Sequence, residues 1–223
     1  MTRLQNDINS IKRALWEASS VFLACIIVTS ILYLEVVIIG GTCGEDSLVE
    51  AMQVLLLFVS SILFLQVAET TKHIAGGMYL ISGFILCMAL RELDAVTDLI
   101  PYVSWVHLVA IAVSGSAWLA YKNKDTVIRG LAVFARSRAS VFMMTGLVCV
   151  LIFSRLFGSK HIWYTLYDVE RVRILKNVVE EGLEFFGDAL IFASSMMIFR
   201  KYRSPTQTAS DTEDHSYKDD VGP

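Results

Sequence analysis

The chain has 223 residues, of which 55% are hydrophobic, a mean hydropathy of +0.56 and a formal net charge of -3. This hydrophobic content is higher than a soluble domain of the same length usually carries, so the composition predicts a membrane protein. The small negative charge argues against nucleic-acid binding. The four cysteines are dispersed along the chain, which argues against a disulfide framework or a Cys-x-x-Cys zinc site.

Apolar segments of about 20 residues, the length that crosses a bilayer as a helix, recur along the chain. Six such spans are predicted, at residues 19–41, 48–68, 76–96, 103–121, 139–157 and 180–199. The predicted fold is an all-α, polytopic membrane helix bundle. Residues 1–18 precede the transmembrane domain (19–203), and the polar composition of residues 204–223 predicts a disordered tail.

The distribution of Lys and Arg predicts the orientation, because positively charged short loops stay on the cytoplasmic side. Six spans place most of the cations on the side of the two termini: Arg3, Lys12, Arg13, Lys72, Lys122, Lys124, Arg129, Arg136, Arg138, Arg200, Lys201 and Arg203. The loops of the other side hold Lys160, Arg171, Arg173 and Lys176. Both termini are therefore expected to be cytoplasmic, in a bacterial-type inner (plasma) membrane.

With this orientation, the ionisable residues of the spans collect at their non-cytoplasmic ends, whereas the cytoplasmic halves carry small hydroxyls. The polar layer comprises Glu35, Asp46, Glu50, Arg91, Glu92, Asp94, Asp98, His107, Arg155, Glu181, Glu184 and Asp188. In the sixth span, Glu181, Glu184 and Asp188 share one helix face by their spacing. Carboxylates facing lipid are costly, so these faces should point into the bundle or a water-filled pocket.

Acids outnumber cations in this layer, and buried carboxylates must pair, protonate or bind a metal. The excess predicts a hard divalent cation (Mg²⁺, Mn²⁺ or Ca²⁺ in preference to Zn²⁺) or shared protons. The candidate metal ligands are Asp46, Glu50, Asp94, Glu181, Glu184 and Asp188. The candidate catalytic residues are Glu184, Asp188, Glu50 and His107, and the candidate substrate-binding residues are Arg91 and Arg155.

Structural alternatives accompany these assignments. Instead of binding a substrate, Arg91 and Arg155 could form structural ion pairs with Asp94 or Glu184 across helices. Instead of taking part in catalysis, His107 could be a packed imidazole near the interface. The loop at residues 158–179 has apolar residues at helical spacing, which predicts an interfacial amphipathic helix, an extension of the sixth span, or a lid.

Three function classes remain. The favoured one is a metal-assisted hydrolase or transferase acting on a lipid or lipid-linked substrate, because the layer combines acids, a cation and an apolar flank. The second is a cation- or proton-coupled transporter of small solutes. The third is a non-catalytic sensor or assembly subunit. Membrane lipids are the expected partners, and no Gly-x-Ser-x-Gly or His-Glu-x-x-His motif names a reaction.

Overall fold

The computed structural model describes residues 3–41, 43, 47–94, 104–166 and 169–203, and every regular element in these ranges is helical. The α-helices are α1 (Arg3–Tyr33), α2 (Leu48–Thr70), α3 (Ala75–Arg91), α4 (Trp105–Lys122), α5 (Lys124–Ala135), α6 (Arg138–Val148), α7 (Lys160–Leu166) and α8 (Val169–Arg203). A π-helical segment (Leu34–Ile39) continues α1, and a second one (Cys149–Phe153) continues α6 into a last α-helical turn, Ser154–Phe157. The name α6 includes this continuation, so that the whole helix is Arg138–Phe157. The predicted all-α class is confirmed.

Within the described ranges, five helices are long and apolar enough to cross a membrane, which indicates a membrane protein. They are Ser10–Ile39, Leu48–Thr70, Lys72–Arg91, Arg138–Phe157 and Val172–Arg203. The predicted fourth span corresponds to α4, which is not among the five. His107, two serines and Lys122 lower its hydropathy, and residues 95–103 before it lie outside the described part of the chain. The predicted tail at 204–223 also lies outside it.

The chain divides into two compact units. Unit one comprises Met1–Leu56 and Phe142–Ala193, and unit two comprises Leu57–Val141 and Ser194–Pro223. The helices α2, α6 and α8 each contribute residues to both units.

Unit one has a core built from α1, α2, α8 and the connection before α2. Its fully packed members are Val28, Cys43, Val49, Phe185 and Ala189. The polar residues buried beside this core are Glu35, Ser47, Gln53, Ser154, Glu184 and Asp188. Unit one therefore encloses carboxylates as well as apolar side chains.

Unit two is built around α3, which packs against α4 and α5. Glycines allow the α3–α5 contact, because a Cβ atom on Gly130 would lie 2.4 Å from the Ile74 carbonyl oxygen and 3.0 Å from the Cα of Gly77. In the same unit the rings of Phe64 and Phe134 meet edge to face, with centroids 5.6 Å apart. Close helix approach through small residues is typical of membrane bundles.

Candidate functional site

A charged contact in unit one joins the end of α6 to α8. Arg155 Nη2 donates to Glu184 Oε1 at 2.6 Å, and Arg155 Nη1 donates to Glu180 Oε1 at 3.4 Å. Lys176 Nζ donates to the other carboxylate oxygen of Glu180 at 2.6 Å. We call these four residues the Arg155 cluster. The ion pair of Arg155 with Glu184 across helices, one of the two alternatives for Arg155, is present, and the substrate-binding role of Arg155 stays a prediction.

The sequence of α8 explains how the cluster forms. Lys176, Glu180 and Glu184 follow one another at four-residue intervals, so their side chains lie along one face of the helix. Arg155 reaches this face from the last turn of α6, directly after the π-helical segment Cys149–Phe153. Such π-helical turns occur often at functional sites in proteins.

Burial differs between the two partners of the central ion pair. The side chain of Glu184 is 5% exposed, whereas that of Arg155 is 50% exposed. Asp188, one turn further along α8, is also buried. A buried carboxylate is stabilised only when a cation or hydrogen-bond donors compensate for its lost hydration. The pair therefore combines a buried acid with a guanidinium that still has an accessible edge.

A second polar group lies near the beginning of α2. Gln53 Nε2 donates to the Glu181 carboxylate at 3.3 Å and to the Glu181 carbonyl oxygen at 3.4 Å. Glu35, in the π-helical segment after α1, accepts from the Leu48 backbone N–H at 3.1 Å through Oε2. This bond satisfies one of the free N–H groups at the start of α2. We call Glu35, Cys43, Gln53 and Glu181 the Gln53 group.

Cys43 is the thiol of this group. Its side chain is almost fully buried in the connection between α1 and α2, and its φ is 48°. Burial, and after it the negative charges of Glu35 and Glu181, raise the pKa of the Cys43 thiol to about 11. The Cys43 thiol is therefore neutral at pH 7, which fits a packing residue and not a nucleophile.

Glu50 lies in the first turn of α2. Its backbone N–H donates to Ser47 Oγ at 3.1 Å, so Ser47 caps the helix. Asp46, predicted as a metal ligand beside it, lies outside the described residues. The assignments of Glu50 to catalysis and to a metal stay predictions.

The remaining candidate residues belong to unit two. Arg91 pairs with the neighbouring Glu92 at the end of α3, and Asp94 is exposed just beyond this helix. His107 is exposed in the first turn of α4, where its Nδ1 accepts from the Ser104 backbone N–H at 3.3 Å. Ser104 and His107 form a capping box at the start of α4. The catalytic role of His107 and the substrate and metal roles of Arg91 and Asp94 stay predictions.

Two members of the Arg155 cluster were not among the sequence-based candidates. Glu180 is the first residue of the predicted sixth span, and Lys176 is one of the cations of the loop before it. The Lys-x-x-x-Glu spacing on a predicted helix was the available signal, because residues four apart pair along a helix. The predicted extension of the sixth span into the preceding loop is confirmed by α8, which begins at Val169.

Among the residues that the structure describes, no group of three or more His, Cys, Asp or Glu side chains is arranged to hold a metal ion. Glu181 and Glu184 instead contact Gln53 and Arg155. Comparison with known proteins gives no family: no family model, no curated protein and no solved structure matches this chain.

Proposed function

We propose that the chain crosses the bacterial-type inner membrane six times, with α4 as the fourth span and both termini in the cytoplasm. The clustering of Lys and Arg in the loops of one side supports this topology. In this orientation the Arg155 cluster lies at the non-cytoplasmic end of its helices. An anionic group reaching it would come from the outer surface of the membrane.

We propose that the protein is a hydrolase or transferase that acts on an anionic lipid or lipid-linked substrate. The observation that supports this function is the Arg155–Glu184 pair, in which a half-exposed guanidinium lies 2.6 Å from a buried carboxylate. Exposed apolar side chains, Ile152 and Leu156, flank Arg155 on α6 and offer a surface for an acyl or polyprenyl chain. Headgroup and chain would then bind to neighbouring parts of one helix.

The chemistry assigns different roles to the charged residues. The planar guanidinium of Arg155 binds a phosphate or carboxylate of the substrate, to which it can donate two parallel hydrogen bonds. Glu184 loses part of its ion pair when the substrate anion binds Arg155, which makes its carboxylate available as a proton acceptor. Asp188 is the second candidate for proton transfer.

The proposed cofactor is a Mg²⁺, Mn²⁺ or Ca²⁺ ion, ahead of Zn²⁺. Mg²⁺ in particular is often held by one or two carboxylates together with substrate phosphates, so a complete set of protein ligands is not required. Glu184 and Asp188 would supply the protein oxygens. The ion would polarise the scissile phosphoryl or carbonyl group.

The test uses purified protein in detergent with phosphatidylglycerol, phosphatidic acid and a polyprenyl phosphate as probes. Native mass spectrometry measures binding, and chromatography of the lipids measures turnover. We expect Arg155→Gln to weaken binding of the anionic lipids at least about tenfold, the value of one charged hydrogen-bonded contact. Glu184→Gln should retain binding and lose turnover.

A matched control is Arg136→Gln, because Arg136 is an exposed arginine of unit two, just after α5. This variant should bind and turn over the lipids as the wild type does. Equal binding by the wild type and Arg155→Gln, or no preference for anionic lipids over phosphatidylcholine, would contradict the proposal.

A non-catalytic assembly or sensor subunit is the second candidate. One observation favours it: the described acids Glu35, Glu180, Glu181 and Glu184 already contact donors of the chain itself. In that case Arg155→Gln would lower stability while lipid binding stays unchanged. The transporter alternative has weaker support, because the buried hydroxyls of Ser61, Ser82 and Ser194 bond to other groups of unit two.

A further inference from the structure

The short connection between α4 and α5 is held in place by the first turn of α3, in unit two. The Gly76 backbone N–H donates to Thr126 Oγ1 at 2.9 Å, and Thr126 Oγ1 donates to the Asn123 carbonyl oxygen at 2.8 Å. A Cβ atom on Gly76 would lie 2.6 Å from the same carbonyl oxygen, so the two backbones are in close contact. These contacts fix the direction in which each face of α5 points.

One face of α5 is packed and another is uncovered. Gly130 and Phe134, four residues apart, are the buried residues of this helix. Lys124, Ile128 and Leu131 share a different face by their spacing of four and three residues, and all three are exposed. Ile128 is 81% exposed. The uncovered face therefore begins with a cation and continues with apolar side chains.

The last turn of α4 adds a second cation and an aromatic ring. Lys122 Nζ lies 3.6 Å from the centre of the Trp118 ring, and both side chains are exposed. Tryptophan is enriched at the headgroup level of membranes, and a cation over its ring face is held there by electrostatic attraction. Only Asn123 separates Lys122 from Lys124. We call Trp118, Lys122, Lys124, Ile128 and Leu131 the α4–α5 corner.

The nearest acid and the other exposed cations of α5 point in other directions. With about 100° per residue, Asp125 lies about 100° from Lys124 around the helix axis, and Arg136 lies about 120° from it. The side chain of Asp125 thus lies off the face of Lys124 and Ile128. The charge of the α4–α5 corner is positive, which makes it complementary to an anionic group.

We propose that the α4–α5 corner binds an anionic phospholipid of the cytoplasmic leaflet. Lys122 and Lys124 donate to the lipid phosphate, while the acyl chains lie against Trp118 and Ile128. A helix with apolar and basic side chains on its uncovered surface is typical of the membrane interface, and anionic lipids attract Lys and Arg near the membrane surface. The proposal rests on the proposed topology, which places this corner at the cytoplasmic surface, and not on the proposed reaction.

The test measures quenching of Trp118 fluorescence by lipids with brominated acyl chains. Replacing Trp16, Trp105 and Trp163 by phenylalanine leaves Trp118 as the one tryptophan of the chain. The protein is reconstituted in phosphatidylcholine vesicles that contain brominated phosphatidylglycerol or brominated phosphatidylcholine. Attraction by one lysine corresponds to about a fivefold preference, so half-maximal quenching should need at least about fivefold less of the anionic lipid.

The variant Lys122→Gln/Lys124→Gln should lose this preference and be quenched equally by both lipids. The matched control is Arg136→Gln, which removes an exposed cation away from the corner and should keep the preference. Arg155→Gln should keep it as well, which separates a failure of this proposal from a failure of the proposed function. Equal quenching by both lipids before the lysines are changed, or the same preference after it, would overturn the proposal.

Two further measurements keep the test decisive. Where the tryptophan replacements prevent folding, native mass spectrometry of the chain with its tryptophans should show that Lys122→Gln/Lys124→Gln loses a bound phosphatidylglycerol that Arg155→Gln retains. The leaflet is tested with Asp125→Cys in a chain without its four native cysteines. A membrane-impermeant maleimide should label this cysteine only after the cells are opened, and labelling in intact cells would overturn the assignment to the cytoplasmic leaflet.

Discussion

The two units bury different kinds of polar side chain. Among the described residues, unit one buries the carboxylates Glu35, Glu184 and Asp188, whereas the buried polar residues of unit two are all hydroxyl-bearing serines and a threonine. A hydroxyl can bond to a carbonyl oxygen of its own or a neighbouring helix and is then satisfied. A buried carboxylate needs a cation or several donors, which must come from other helices. Unit one is therefore the unit whose packing depends on charge.

The largest effect should follow from removing the cation of unit one. Arg155→Met leaves the Glu184 carboxylate buried beside an apolar side chain, and we expect the free energy of unfolding to fall by about 2 to 3 kcal/mol. This figure is set at the low end because Arg155 is half exposed. Chemical denaturation in detergent measures the change.

The double variant Arg155→Met/Glu184→Met removes both charges and should recover most of this loss. Arg136→Met, at an exposed arginine of unit two, should stay within about 0.5 kcal/mol of the wild type. A double variant as unstable as Arg155→Met would mean that charge pairing does not set the stability of unit one.

The stability of unit two should depend most on side-chain volume at its helix contacts. Gly130→Ala places a methyl group 2.4 Å from the Ile74 carbonyl oxygen, where backbone atoms leave no room. We expect a loss of about 2 kcal/mol from this overpacking, measured by the same denaturation. Gly115→Ala is the control, because no atom lies within 4 Å of the added methyl group. If both variants behave alike, close packing is not what holds α3 against α5.

The serine contacts of unit two should matter less. Ser61 Oγ donates to the Ser82 carbonyl oxygen at 3.0 Å, and Ser82 Oγ donates to the Ser61 carbonyl oxygen at 2.8 Å. Ser82→Ala should cost about 0.5 to 1 kcal/mol, the usual size of such bonds between membrane helices. A double-mutant cycle with Ser61→Ala measures the coupling. A loss as large as that of Arg155→Met would remove the difference between the units.

At neutral pH the smallest expected effect belongs to Cys43, because its contribution changes only in alkaline solution. Its pKa of about 11 exceeds the reference value of 9.0, so the unfolded chain loses this proton first as the pH rises. Stability from the neutral thiol is complete below pH 9 and declines between pH 9 and 11. Unfolding measured from pH 8 to pH 11 should show a steeper decline in the wild type than in Cys43→Ala.

Alkylation gives a direct measurement of the same thiol. In a chain whose other three cysteines are replaced by alanine, the Cys43 labelling rate should rise steeply with pH up to about pH 11. Glu35→Gln removes a negative charge that raises this pKa, so its labelling should reach a given rate at a lower pH. Identical profiles for both chains would show that Glu35 does not act on the thiol.

Hydropathy predicts the bounds of a helix well where one long apolar segment forms the whole helix. The span predicted at 48–68 is α2, Leu48–Thr70, and the span predicted at 139–157 matches Arg138–Phe157. The spacing of acids on the sixth span also predicted one carboxylate face. These features depend on local periodicity, which a single segment contains.

The contacts that define the candidate site were harder to predict. Gln53 and Glu181 are 128 residues apart, and periodicity does not tell which helix faces meet. The π-helical segments leave hydropathy unchanged, so no sequence pattern located them. The burial of Cys43 is not predicted by the sequence either, because a position between two spans does not tell whether a side chain is packed.

The two π-helical segments offer a way to separate folding from charge. A π-helical turn holds one residue more than the α-helical turn it replaces, so the same residues wound as a regular α-helix would turn further about the helix axis. The helix would still form, but Arg155 would be rotated by about 100° about its axis and carried away from Glu184. The π-helical turn thus sets the direction of a charged side chain without altering any charge.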